Sequence, residues 1–217
     1  MQTRTKKLTV LAMLSALAYI VMVVGRIPVI MFLKYDPKDV IITIGGFLYG
    51  PLSAFTISAV VSFVEMFTVS ATGLIGLVMN IISSCAFACT ASYIYKSKRT
   101  ITGAIMGLIA GWLLTTAVML LWNYFIAPIY MGLPREAVAE LLIPAFLPFN
   151  LLKGGLNAAI TMLLYKPIKK ALNKSHLMLV SEETVVTTSN MNIGTKLVSF
   201  FIIATCILLI LVFQGHI

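Results

Sequence analysis

The sequence predicts an all-α integral membrane protein: a six-helix core followed by an appended C-terminal transmembrane helix. Three observations carry this reading. Of 217 residues, 60% are hydrophobic and only 11% charged, with a mean hydropathy of +1.02; a soluble domain carries about 25% charged residues. The apolar residues fall in runs near the length of about 20 residues needed to cross the hydrocarbon core. The net charge of +9 is gathered in short segments flanking those runs, which is the pattern of the positive-inside rule and not of a nucleic-acid surface.

The first helix runs from about Leu8 to Gly25. Arg4, Lys6 and Lys7 precede it in the manner of a signal peptide, but no convincing small-residue cleavage site follows and further spans do, so it reads as a retained helix. A loop covers Arg26–Asp39, in which Asp36 or Asp39 is placed to cap the next helix. The second helix, about Val40–Tyr49, is too short to span unaided, and Gly50-Pro51 breaks it from a third at about Leu52–Val69. The fourth covers about Leu74–Tyr95 and the fifth about Ile101–Ile126. Pro128, Pro134, Pro144 and Pro148 deny a continuous helix after that, though Glu136 and Glu140 leave room for one short helix. The sixth runs from about Pro148 to Tyr165. A stretch rich in Ser, Thr, Glu and Asn leads to a seventh at Leu197–Phe213. The domains are thus a membrane core over 1–172, a polar cytoplasmic linker over 173–196 and an additional helix over 197–217.

Charge sets the orientation. With the N terminus in the cytoplasm, Arg4, Lys6, Lys7, Lys96, Lys98, Arg99, Lys166, Lys169, Lys170, Lys174 and Lys196 are all inside. Arg26, Lys34, Lys38 and Arg135 are outside.

Lys153 lies within the sixth span. A charge at membrane depth costs about 2.5–3.5 kcal/mol on insertion scales and normally faces a cavity or a partner. Asn150, Lys153 and Asn157 are spaced i, i+3, i+7 and share one helix face. At about 1.5 Å per residue, Glu65, Asn80, Asn123, Asn150 and Lys153 all fall in the outer third of the membrane, from four different helices. Carboxamides outnumber charges among them, which suits a neutral hydrogen-bonding solute. The alternative is structural: interhelical bonds from the asparagines and a Glu65–Lys153 ion pair. In the outer loop, Phe32 and Tyr35 are candidates to cover an aromatic ligand.

Small residues mark close helix contacts. Gly103, Gly107 and Gly111 read as internal packing, and Ala12 and Ala16 as a partner surface. Cys85 and Cys89 have no His or acidic neighbour, so no metal site or disulfide is expected from them. No Ser–His, paired-Asp or His–Glu zinc pattern supports an enzyme. No phosphate-binding glycine loop is present, so energy must come from a partner. A stand-alone ion-coupled transporter would need sites at a broken helix near the midplane; the polar cluster lies further out, and no internal repeat is visible.

Four patches carry a family resemblance: Phe32-Leu33-Lys34-Tyr35-Asp36-Pro37-Lys38-Asp39, Gly45-Gly46-Phe47-Leu48-Tyr49-Gly50-Pro51, Asn123-Tyr124-Phe125 with Pro128 and Tyr130, and Pro148-Phe149-Asn150-Leu151-Leu152-Lys153-Gly154. Over about residues 1–172 the chain resembles the substrate-binding S components of energy-coupling factor vitamin transporters, within them the riboflavin-specific subfamily. The resemblance implies six helices with a ligand near the outer face. It implies that Asn123, Asn150 and Lys153 hold a flavin ring, with riboflavin as transported ligand and no cofactor. It also implies that Ala12 and Ala16 meet a membrane-embedded coupling subunit, itself joined to two ATP-binding subunits. Asn80 and Glu65 are candidates for the ribityl chain on the depth argument, and Tyr130 joins the ligand-binding set. An S component for another vitamin is the alternative. The seventh helix departs from the family core.

Overall fold

The computed structural model describes residues 2–30, 33–174 and 193–213. Among these, five helices are long and apolar enough to cross a membrane: Arg4–Val24, Pro51–Thr68, Gly73–Lys98, Ile101–Met131 and Arg135–Ile168. The chain order is α1 (Gln2–Val24), β1 (Ile27–Ile30), β2 (Leu33–Tyr35), α2 (Lys38–Tyr49), α3 (Pro51–Thr68), α4 (Gly73–Ser84), α5 (Thr90–Lys98), α6 (Ile101–Met131), α7 (Arg135–Leu141), α8 (Leu147–Lys174) and α9 (Ile193–Phe213). π-helical turns at Cys85–Cys89 and Leu142–Phe146 join α4 to α5 and α7 to α8.

The outer loop, expected as an irregular connector, contains an antiparallel hairpin that pairs Ile27 with Tyr35 and Pro28 with Lys34. Neither carboxylate caps α2. Its N-cap is Pro37, without a side-chain bond, because Asp36 and Asp39 are drawn instead to buried partners in the bundle.

At 12 residues, α2 is about 18 Å long, short of a roughly 30 Å core. It nonetheless sits comfortably, because every residue from Lys38 to Phe47 is buried by protein and not by lipid. Gly50 (φ +92°) makes the reversal out of α2, a conformation favouring glycine, and Pro51 opens α3 at the position where a missing N–H costs nothing.

The prolines break the chain after α6 less than expected. Helix α6 runs through Pro128 and stops only at Gly132 (φ +66°). Pro128 lies in its last turn, where one lost backbone bond and a local clash are tolerated. Pro144 falls in the π turn before α8 and Pro148 at the second position of α8. The expected short helix around Glu136 and Glu140 is α7.

One core cluster joins α1, α2 and α3 through Val10, Leu14, Ile42, Ile57 and Val61. A second joins α2, α5 and α6 through Phe47, Phe87, Tyr95 and Leu108. The glycine series of α6 is packing, as its spacing implies: a Cβ on Gly107 would collide with the Ala91 carbonyl oxygen, and one on Gly111 with that of Phe87. Ala12 and Ala16, by contrast, are exposed on α1, on a face shared with Met13, Leu17 and Ile20. Most of the polar linker lies outside the described residues.

Because the neighbour of Gly107 is main chain and cannot rotate away, Gly107→Val is expected to cost about 1–3 kcal/mol. A lowered thermal midpoint in detergent checks this. An unchanged midpoint removes close α5–α6 approach as the reason for the glycine.

Candidate functional site

Three cations and three carboxylates meet at the end of the bundle where α1 finishes. Glu65 on α3 is 2% exposed and accepts from Arg26 at 2.6 Å, from Lys38 at 2.5 Å and from the Asn80 Nδ2 at 2.9 Å. Lys153 on α8 lies 3.7 Å from Asp36 and 3.7 Å from Asp39. Asp39 also accepts from Ser84 Oγ at 2.5 Å and from Asn157 Nδ2 at 3.3 Å, and Asn157 Oδ1 accepts from the Tyr35 hydroxyl at 3.0 Å. The carboxylate of Glu65 is therefore neutralised by Arg26 and Lys38, and the ammonium of Lys153 by the two aspartates. The direct Glu65–Lys153 pair considered from the sequence is not what forms.

The network ties the end of α1, the hairpin, α2, α3, α4 and α8 together. Buried charges are tolerated because each has a partner; removing one partner strands the other at a cost of about 3–5 kcal/mol. Burial alone pushes the Asp36 carboxyl up, but the charges of Lys153, Lys38 and Arg26 outweigh it and hold it below the ordinary carboxylate range. Burial, followed by the charges of Asp36 and Asp39, pushes the Tyr35 phenol up.

Beside this network is a cavity of about 230 Å³. Its polar lining includes Arg26, Lys34, Asp36, Glu65, Asn80, Asn123, Tyr130, Asn150 and Lys153; its apolar lining includes Leu33, Val69, Ile75, Met79, Met119 and Phe149. All five polar residues placed at one depth from the sequence thus face one space, together with Tyr130. Tyr35 stands behind that wall, buried against α8, and does not line it. Phe32 lies outside the described residues.

Asn123 and Asn150, which line the cavity with Lys153, are held by their own helices. Asn123 Nδ2 donates to the Met119 carbonyl at 2.7 Å, and Asn150 Nδ2 to that of Phe146 at 2.8 Å. Each carboxamide is thereby fixed in orientation, and the Asn123 oxygen accepts from the Tyr130 hydroxyl at 3.4 Å. Lys153 is held differently. At 3.7 Å its two ion pairs are too long for hydrogen bonds, so the ammonium is charge-neutralised while keeping donors to offer. An ammonium, two oriented carboxamides and apolar walls can bind a flat, neutral molecule with several carbonyl and N–H groups.

Sequence reasoning missed the roles of Arg26, Lys38, Asp36 and Asp39. Their signal was present: with Lys34 they make five charges bunched within 14 residues beside a membrane span, which demand partners. Which partners they take depends on chain crossings that no spacing reveals. Among the described residues, no group of His, Cys, Asp and Glu is arranged to hold a metal ion.

The comparisons agree with this architecture. The family described as "ECF transporter, substrate-specific component" matches residues 6–165. The riboflavin transporter RibU of Streptococcus thermophilus is 29% identical over 79% of this chain and 87% of its own length. RibU of Staphylococcus aureus is 27% identical over 79% and 94%, and the riboflavin transporter FmnP of Bacillus subtilis 28% over 76% and 93%. A solved S component of a bacterial ECF transporter superposes with a TM-score of 0.67 at 28% identity, covering 78% of this chain and 98% of that one.

Two predictions follow from the charge network. Glu65→Gln strands Arg26 and Lys38 and is expected to destabilise the protein by about 3–5 kcal/mol; a melting point equal to wild type would show the pairs to be dispensable. Asp36 titrates lower folded than unfolded, so its contribution is present above the ordinary carboxylate range and lost as the pH falls through its depressed value. Asp36→Asn is expected to remove that part of the acid limb, read from melting temperature against pH. The match over most of the chain, with the shared architecture, makes it a multi-pass membrane protein belonging to the family of substrate-specific components of ECF transporters, a transport subunit and not an enzyme.

Proposed function

We propose that this chain binds riboflavin at the outer face of the cell membrane and delivers it inward with an ATP-driven coupling module. The observation that carries the reading is the cavity itself: Asn123, Asn150 and Lys153 converge on one apolar-walled space, in a chain whose relatives are riboflavin transporters. The isoalloxazine ring offers carbonyls and an N–H at its edge, which carboxamides and an ammonium can meet. Its faces suit walls such as Phe149, Met79 and Met119. Riboflavin is neutral, and three cations against three carboxylates leave the surrounding network without net charge.

Asn80 is engaged with Glu65 through its nitrogen, which leaves its carboxamide oxygen to accept from a ribityl hydroxyl. Glu65 is already occupied by Arg26, Lys38 and Asn80, so its part is to position Asn80. Tyr35 serves the site from behind, by holding Asn157 and the hairpin.

The N terminus lies in the cytoplasm in this reading, on the distribution of Lys and Arg. The exposed Ala12–Ala16 face of α1 meets the membrane-embedded coupling subunit, where small side chains let backbones approach closely. Two ATP-binding subunits complete the module. Residues 1–172 form the binding core, which a cytoplasmic linker joins to the additional helix α9 (Ile193–Phe213).

Titration of the purified protein with riboflavin, followed by quenching of flavin fluorescence, tests this. Tight saturable quenching is expected, weakened about tenfold or more in Asn150→Ala, since a lost buried hydrogen bond is worth about 1–3 kcal/mol. Lys153→Ala is expected to weaken binding and also to lower stability, because it strands Asp36 and Asp39. No quenching from folded wild-type protein rules out riboflavin. Ala12→Trp is expected to spare binding and abolish uptake in cells; undiminished uptake excludes that face as the docking surface.

A further inference from the structure

Helix α9 lies beyond the stretch matched by the family, residues 6–165, and its inward face is occupied. Cys206 and Ile210 are buried, and Ile202 and Ile203 pack beside them, in one cluster with Phe149, Leu152 and Leu156 of α8 and with Val29, Ile30, Leu33 and Tyr35 of the hairpin. Gly155 of α8 lies against Cys206: a Cβ there would lie 3.8 Å from the Cys206 sulfur, beside the Trp112 ring at 3.5 Å. The opposite face of α9, with Phe200, Phe201 and Leu208, is exposed in a helix that is apolar almost throughout.

Two stripes on α8 explain why this contact bears on the site. Phe149, Leu152 and Leu156 are spaced i, i+3, i+7, as are Asn150, Lys153 and Asn157. They are offset by one residue, or about 100° around the helix. The first stripe packs in the cluster with α9 and the hairpin, and the second carries the polar groups of the cavity and its network. Leu33 and Phe149 belong to both the cluster and the cavity wall. A shift of α9 is therefore transmitted to the rotation of α8 and to the seat of the hairpin.

We propose that α9 is a positioning element of the binding site. It clamps the β1–β2 hairpin onto the outer half of α8, and so sets how long a ligand stays in the cavity. Between helices in lipid, attraction comes from close packing and not from water exclusion. The clamp is therefore as strong as the fit of Ile203, Cys206 and Ile210. The ligand part of this inference rests on riboflavin being the occupant; the clamping of the hairpin does not.

The experiment uses the full chain in lipid nanodiscs, as wild type, Ile203→Ala/Ile210→Ala, Ile210→Ala, Ile210→Leu and Leu209→Ala. Leu209 is on the exposed side and serves as the control; the single Ile210→Ala variant serves if the double variant does not fold. Amide exchange of the hairpin in ligand-free protein and the release rate of riboflavin are measured on each. The packing loss on truncation is expected to speed both by roughly tenfold, with most affinity loss in release and not in association. Exchange in α3 is expected to stay unchanged, Ile210→Leu to restore wild-type rates and Leu209→Ala to match wild type. Unchanged hairpin exchange in the Ile210→Ala variant overturns the clamp. Faster hairpin exchange with unchanged release overturns its control of residence time. A wild type that binds no riboflavin, but whose hairpin exchange still responds to Ile210, refutes the ligand and upholds the clamp.

Discussion

The half of this molecule around the end of α1 depends on balancing six charges inside a membrane-embedded bundle. Arg26, Lys38 and Lys153 stand against Asp36, Asp39 and Glu65. None could stay there alone, since desolvation in a low-dielectric interior costs more than any local packing returns. Pairing turns that cost into a geometric demand. The hairpin, α2 and α8 must lie where their charges meet, and the carboxylate of α3 must lie between Arg26 and Lys38. A short helix such as α2, unable to span lipid, becomes admissible because this network and the surrounding helices enclose it.

The cavity is a by-product of the same arrangement. With the charges paired at its edge, two further polar groups of the lining, the carboxamides of Asn123 and Asn150, are fixed by carbonyls of their own helices. The protein itself sets their orientation. Lys153 differs from the other two cations because its ion pairs are long. Arg26 and Lys38 each donate a hydrogen bond to Glu65, whereas the aspartates stand 3.7 Å from the Lys153 ammonium. Around this polar edge, apolar side chains from α4, α6, α8 and the hairpin supply walls. The π turn that precedes α8 ends at Phe146, whose carbonyl orients Asn150. That places a helical irregularity next to the site it serves, as such turns often are.

Helix α9 and helix α1 occupy different parts of the surface. The first packs on α8 and the hairpin, while α1 packs on α2 and α3 and keeps Ala12 and Ala16 exposed. An element packed beside the cavity thus leaves the small-residue face of α1 open.

Membrane insertion was written in the sequence without ambiguity, because hydrocarbon thickness imposes run lengths and interfaces impose charge positions. Asn80, Asn123, Asn150, Lys153 and Glu65 were legible as a set for a related reason: polar groups at membrane depth are costly, and rise per residue converts sequence position into depth. The hairpin was not legible, since strands of four and three residues carry too little alternation to distinguish from loop. Nor was the passage of α6 through Pro128, because a proline in the last turn costs one bond that the surroundings can absorb. Above all, the pairing of charges was out of reach. Depth alone permitted Glu65 to meet Lys153, and the tertiary structure gave it Arg26 and Lys38 instead. Sequence fixes how deep a side chain lies along its own helix; which neighbours it finds at that depth depends on the azimuth and crossing of several helices, and only their packing against one another decides that.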